Sequence, residues 1–538
     1  MRQVDFVVVG GGSAGCVLAN RLSAGGRFSV LLLEAGGSDR RLRVQVPIGY
    51  GLSFHDPSLN WRYRTEPEPA LDGRAGYWPR GKVLGGSSSI NAMVYVRGQP
   101  ADFEGWKAGG NPGWGWDDVL PYFRKLEAFE GGGAALRGCD GPLHVSDVCA
   151  DVHPLCEAFV RAGVEAGAPR NRGFNGASAE GVGIYEITTW RGRRMSAARA
   201  YLEPARRRAN LAVCTKARAV RIAFDGTRAT GVHYEHAGGA RFAAAAREVV
   251  LCAGAIGSPL LLQASGVGPA AWLQSLGIEV AHDRPAVGEH LQDHLCIDHL
   301  YRSKVPTLNE ELRPWSGRLR VGWRYLATRR GPLALSVNQA GGFVRSRPEV
   351  ERPDLQLYFS PLSYTRAVPG RRALMSPDAF SGFLLSAQPC RPTSRGRVRL
   401  RSREVDAAPL IVPGSLATAH DLELMLEGSR WLRRLAAAPS LAAVIDAELA
   451  PGPAVQTREQ LVDDIRRRAS TVFHPVSTCR MGPDARDDVV DARLRVHGLA
   501  GLRVIDASVF PTVTSGNTLA PTLMVAERGA DLVLADQR

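Results

Sequence analysis

The sequence reads as an α/β protein in which a doubly wound nucleotide-type sheet is interleaved with a second, α+β unit built on an antiparallel sheet. Three observations point there. The chain opens on an apolar run, Val4-Asp-Phe-Val-Val-Val9, which turns through Gly10-x-Gly12-x-x-Gly15 into a helical pattern, Cys16 to Leu22. A second apolar run, Phe28 to Leu33, closes on Glu34. A third, Leu502-Arg-Val-Ile-Asp506, appears near the other end and leads through a loop to a closing helix, Pro521 to Leu534.

Each element has a physical reason. Short runs of β-branched and aromatic residues suit strands buried on both faces of a parallel sheet. Gly10 permits the tight turn, Gly12 lets backbone approach a pyrophosphate, and Gly15 lets the helix close on the strand. The helix that follows offers free N–H groups and a positive dipole end to phosphates. Glu34, followed by Ala35, stands at the spacing that bonds a ribose hydroxyl. The Gly- and Trp-rich stretch from Gly105 to Trp116 reads as loop. Between Leu211 and Cys252, short strands alternate with the turns Asp225-Gly226 and Gly238-Gly239, an antiparallel excursion. It ends in Glu248-Val-Val-Leu-Cys-Ala-Gly254, a buried strand feeding a glycine turn and a helix. From Arg302 to Asp464 amphipathic helices (Asp421 to Leu435 is the clearest) mix with strands such as Leu355 to Phe359 and Arg397 to Arg401.

A chain of 538 residues exceeds one core, so two domains are expected. The first takes residues 1–150, 195–300 and 465–538; the second takes 151–194 and 301–464. No apolar run approaches the roughly 18 residues that span a bilayer. The first strand begins within five residues of Met1, which leaves no secretory signal. Nine scattered cysteines without a CxxC pair suit a reduced, cytoplasmic protein with no structural metal. The net charge of +14 comes from 67 basic residues, of which only Lys82, Lys107, Lys125, Lys216 and Lys304 are lysines. Arginines spread along the whole chain, with clusters at Arg191–Arg194, Arg206–Arg208 and Arg466–Arg468 but no aromatic-interleaved stripe, argue against nucleic acid. Peripheral contact with an anionic inner-membrane surface stays open.

Four further segments carry chemistry: Gly81-Lys-Val-Leu-Gly-Gly-Ser-Ser-Ser-Ile-Asn91; Gly254-Ala-Ile-Gly-Ser-Pro through Gly268; His474-Pro-Val-Ser-Thr-Cys-Arg-Met-Gly482; and Asp506-Ala-Ser-Val-Phe-Pro followed by Ser515-Gly-Asn-Thr-Leu-Ala-Pro-Thr522. In order and spacing they resemble the hallmark segments of the glucose–methanol–choline (GMC) flavin oxidoreductases. The resemblance covers essentially the whole chain. It implies a Rossmann-like FAD-binding domain beside a substrate-binding domain, with Gly10, Gly12, Ser13, Ala14, Gly15, Glu34 and Ala35 at the ADP half of FAD. Gly85, Gly86, Ser87, Asn91, Ala92 and Val94 would line the pyrophosphate and flavin edge. Val220 would meet the adenine. Ala253, Gly254, Asp506 and Ala507 would lie along the pyrophosphate and ribityl chain, with Asn517 and Thr518 near the flavin pyrimidine. Some members bind FAD covalently through a histidine where this chain has Ile90, so FAD is expected to be non-covalent.

Alcohol oxidation needs a base for the hydroxyl proton and a donor for the developing alkoxide. His474 and Asn517 stand where the family places these groups. The expected reaction is oxidation of a primary alcohol or aldehyde hydrate by hydride transfer to flavin N5, with oxygen or a quinone- or dye-type carrier as acceptor. Gln339 occupies the place of a choline-binding glutamate, and Ser477 replaces a usual glycine beside the base; both are expected to line the substrate pocket. Choline dehydrogenase proper remains an alternative. So does a lyase or a fatty-acid-photodecarboxylase-like enzyme on the same scaffold, with Cys390-Arg391 as a carboxylate site. His290 and His294, at i, i+4 spacing, lack a third ligand and read as structural, and Cys479 reads as packing. Oligomeric state is left open.

Overall fold

The computed structural model describes residues 3–364 and 376–538. Two sheets organise them. In the first, Leu211–Thr215, Val30–Glu34, Val4–Val9 and the later half of Gly239–Leu251 run parallel in that order, and Leu502–Val504 joins beyond. The 13-residue strand Gly239–Leu251 serves two roles. Its first half pairs antiparallel with Arg228–His236, which pairs with Ala217–Asp225; its second half enters the parallel sheet. The expected excursion and its host sheet therefore share one strand.

The parallel strands are almost fully buried, because the helices Ser13–Ser23 and Leu519–Ala535 pack together on the sheet. Gly15 sets how closely the first helix approaches: a Cβ there would lie 1.8 Å from the Gly10 carbonyl oxygen. Gly10 takes φ of +100°, open to glycine and strained for other residues.

The second sheet is antiparallel, in the order Ile445–Ala450, Leu295–Ser303, Gly382–Pro389, Leu355–Ser360, Ala340–Val344, Gly181–Ile184. Its central strands alternate with period 2. Leu355, Leu357, Phe359, Phe383, Leu385 and Ala387 pack on the helices Leu155–Glu165 and Ala419–Ala437. Tyr358, Ser360, Leu384 and Ser386 face the other way, into a large cavity.

Two sequence expectations need correction. The stretch 105–116 is not all loop: the helix Pro100–Ala108 runs through Gly105, and Trp116 opens the helix Trp116–Leu126. Capping boxes through Asp102 and Asp118 start both helices, a local signal that outweighs the glycines. The domain boundaries at 300/301 and 464/465 also fall inside elements, the strand Leu295–Ser303 and the helix Arg458–Arg468.

Candidate active site

The cavity, of about 1540 Å³, lies beyond the carboxyl ends of the parallel strands and is roofed by the second sheet. Drug-sized ligand pockets occupy roughly 300–1,000 Å³, so there is room for a dinucleotide and a substrate together. Gly10, Gly12, Ser13, Ala14, Glu34 and Ala35 line one end. Gly86, Ser87, Asn91, Ala92, Val94, Val220, Ala253, Gly254, Asp506, Ala507 and Thr518 continue the wall, and His474 and Asn517 also line the cavity. Gly15 and Gly85 sit behind it. The first packs on Gly10, and the N–H of the second donates to the Gly11 carbonyl at 2.7 Å. The loops meet at Gly86, where a Cβ would fall 2.7 Å from the Gly12 Cα.

Two helix N-termini, those of Ser13–Ser23 and Leu519–Ala535, end on this cavity with neither a side-chain cap nor an acidic residue in the first turn. Their backbone donors and positive dipole ends suit an anionic group. The helix Gly254–Ala264 also starts here, but its first N–H donates to Asp506 at 2.8 Å. Asp506 accepts from Ser258 Oγ at 2.6 Å and from the Ser508 N–H at 2.8 Å as well, which fixes the returning loop on the glycine turn. Glu34 accepts from the Gly11 and Gly36 N–H groups at 2.9 and 2.6 Å, and burial raises its carboxyl to about 7. Asn91 accepts from the buried Arg194 at 2.6 Å.

The other end is assembled from distant segments. His474 Nδ1 lies 3.0 Å from His294 Nδ1, and His474 Nε2 lies 3.3 Å from Asn517 Nδ2. His294 Nε2 is 3.0 Å from the Cys390 carbonyl, which can only accept. That contact decides the tautomers. His294 carries its proton on Nε2 and accepts at Nδ1; His474 therefore donates from Nδ1, and its Nε2 keeps a lone pair toward Asn517. Burial lowers His294 to about 4. His474 is pulled well below its ordinary value by burial first, then by His294 and Arg80. Both rings are neutral near pH 7.

The loop carrying His474 is tied on both sides. Arg80 Nη2 donates to the Phe473 carbonyl at 2.7 Å, and the His474 N–H donates to Asp293 Oδ1 at 2.7 Å. Thr471 Oγ1 holds the other Asp293 oxygen. Burial raises Asp293 to about 7 and lowers Arg80 to about 10, and both line the cavity. The Asn517 carboxamide is oriented by Gln356, whose Nε2 donates to Asn517 Oδ1 at 3.2 Å. Gln388, paired with Gln356 across the sheet, donates to Gln356 Oε1 at 2.9 Å.

Four sequence expectations change here. Gln339 does not line the cavity: its Oε1 accepts from the His153 N–H at 2.7 Å on the other face of the chain, and Val337 and Asn338 face inward instead. Ser477 is wholly buried outside the lining, with φ of +72°, the conformation that favours glycine there. His290 and His294 are not on a helix; His290 bonds Asp487 while His294 backs His474. Among the described residues no cluster of His, Cys, Asp or Glu could hold a metal ion. Neither Cys390 nor Arg391 lines the cavity, and Arg391 binds the Pro353 carbonyl and Ser515. Cys479 is buried in the first core. Arg80, Asp293 and Gln356 escaped sequence reading, and His294, read there as structural, stands directly behind His474.

Residues 4–296 match the N-terminal domain of GMC oxidoreductases, and residues 392–526 match the C-terminal domain. The chain belongs to the GMC oxidoreductases. It is 42% identical to an alcohol dehydrogenase [acceptor] from Pseudomonas putida, covering 98% of this chain and 95% of the relative. It is 43% identical to an oxygen-dependent choline dehydrogenase from Serratia proteamaculans, covering 99% and 96%. The crystal structure of pyridoxine 4-oxidase from Mesorbium loti has a TM-score of 0.89 at 34% identity, with 98% of each chain covered. This GMC oxidoreductase is an FAD enzyme acting on CH–OH donors. The uncapped helix ends and glycine-lined wall fit that cofactor.

Proposed function

We propose that this protein oxidises a primary alcohol or aldehyde hydrate, with His474 as general base and Asn517 as hydrogen-bond donor to the alkoxide. The carrying observation is the His474 Nε2 lone pair, left free by the Cys390–His294–His474 chain and set beside an amide donor. FAD, when bound, supplies the hydride acceptor at its N5. The protein manages the proton. Nε2 of His474 takes it from the substrate hydroxyl, and Nδ1–H stays on His294, so the ring keeps its orientation through the transfer. Asn517 donates its N–H to the oxygen as charge develops and has no basicity to compete for the proton. The first turns of Ser13–Ser23 and Leu519–Ala535 would hold anionic parts of the cofactor through backbone N–H groups.

Choline is the second reading. It is favoured by Asp293 and Asp298 in the lining together with the Tyr358 and Phe473 rings. Arg80 in the same wall opposes a cation, and no carboxylate of the segment 337–339 faces inward. Anaerobic mixing of the holoenzyme with linear alcohols, aldehydes and choline separates the two. Bleaching of the flavin band at about 450 nm by neutral alcohols, faster than by choline, is expected. Bleaching by choline alone gives the second reading, and bleaching by none of them removes both.

A further inference from the structure

The helix Trp315–Thr328 carries an apolar face that nothing among the described residues covers. Trp315, Leu319, Trp323 and Leu326 are 76, 64, 75 and 64% exposed. At 3.6 residues per turn they fall within roughly 80° of one another. Gly317, Val321 and Tyr325 lie opposite and are buried. Single exposed apolar residues are ordinary; four aligned on one helix face are not. Arginines flank the stripe: Arg318 on one side, Arg320 and Arg324 on the other, all exposed and without an acidic partner among the described residues. The surface continues beyond the helix. Tyr325 Oη donates to the Gly192 carbonyl, in a hairpin that bears the part-exposed Trp190 and the exposed Arg191 and Arg193. Leu42, 78% exposed, sits on a short helix against the same hairpin.

We propose that this helix lies in the interfacial layer of an anionic bilayer and docks the enzyme there. Aligned tryptophans and leucines enter the acyl boundary, tryptophan favours the headgroup level, and flanking arginines extend to lipid phosphates. A second copy is a poorer occupant, because a two-fold contact across the stripe would set Arg318, Arg320 and Arg324 against their own copies. The position is also functional. Through Val321 the helix packs into a core cluster with Tyr50, Phe54, Met93 and Val337, and these four line the cavity. The lipid-facing element thus backs the wall of the cavity.

The test is sedimentation of the holoenzyme with phosphatidylcholine vesicles with and without phosphatidylglycerol. Wild type co-sediments with the anionic vesicles, more weakly as salt rises. Trp315→Ser with Trp323→Ser lowers the partition coefficient by about tenfold or more. Arg320→Glu with Arg324→Glu lowers it on anionic vesicles only. Both variants keep their flavin absorbance and their turnover of a soluble alcohol. No binding by wild type, equal binding by the tryptophan variant, or a solution dimer that this variant splits without any vesicle binding would each overturn the proposal.

Discussion

At the end of the cavity near Glu34, contacts come from backbone within continuous stretches, Gly10 to Ala14 and Glu34 to Ala35. At the other end His474, Asn517, His294 and Arg80 arrive from four separate segments. The first end depends on how closely main chains can approach, the second on which atom carries a proton. Damage to the two should look different. Gly15→Val drives a side chain into the Gly10 carbonyl, 1.8 Å from the first added carbon. The expected result is protein purified without flavin absorbance and without activity, the largest effect available.

His474→Ala tests the opposite end. FAD should stay bound, since the glycine turns and helix ends are untouched, while flavin reduction by alcohol slows about 10²- to 10⁴-fold. Stopped-flow absorbance reads both quantities from one sample. A variant that loses flavin as well would mean that the two ends are not separable, and near-normal reduction would remove His474 from its role.

His294 should act through His474 alone. A proposed base must be unprotonated, and the His474 value lies well below the ordinary one, so reduction should be independent of pH above about 6.5 and decline on the acid side. His294→Phe removes the acceptor for His474 Nδ1–H and one of the causes that lower the His474 value. The rate should fall about ten- to hundredfold, and the acid limb should move to higher pH. His294→Gln keeps an acceptor and should recover much of the rate. Equal effects of Phe and Gln would mark a packing role.

This contrast explains what the sequence could disclose. Strand, glycine turn and helix are coded by neighbours, so Val4–Val9, Ser13–Ser23 and the returning Leu502–Val504 were readable to within a few residues. Gly105 misled because the capping contact of Asp102, three residues before it, is a subtler signal than a glycine. Family resemblance put forward His474 and Asn517, which sit inside long signatures and lie side by side in the cavity wall. It could not reach His294, whose role depends on the Cys390 carbonyl, nor reject Gln339, because a one-residue change of side on a strand turns a lining residue away.

The smallest expected effect follows from that last point. Gln356 and Gln388 face each other across neighbouring strands and are wholly buried, amides in a sheet whose other face is apolar. Buried amides need partners, and these find them in each other, in Tyr185, in Tyr358 and in Asn517. The Asn517 carboxamide could otherwise turn over, presenting its oxygen to the His474 lone pair, a repulsive contact. Gln356→Leu removes the donor that prevents this and leaves His474, His294 and every cofactor contact in place. Flavin reduction should slow by about tenfold or less, the cost of one hydrogen bond, with no change in flavin content and no shift of the pH profile. Gln356→Glu, which can only accept when ionised, should be worse than leucine. A leucine variant that reduces its flavin at the wild-type rate would show that Asn517 holds its orientation unaided.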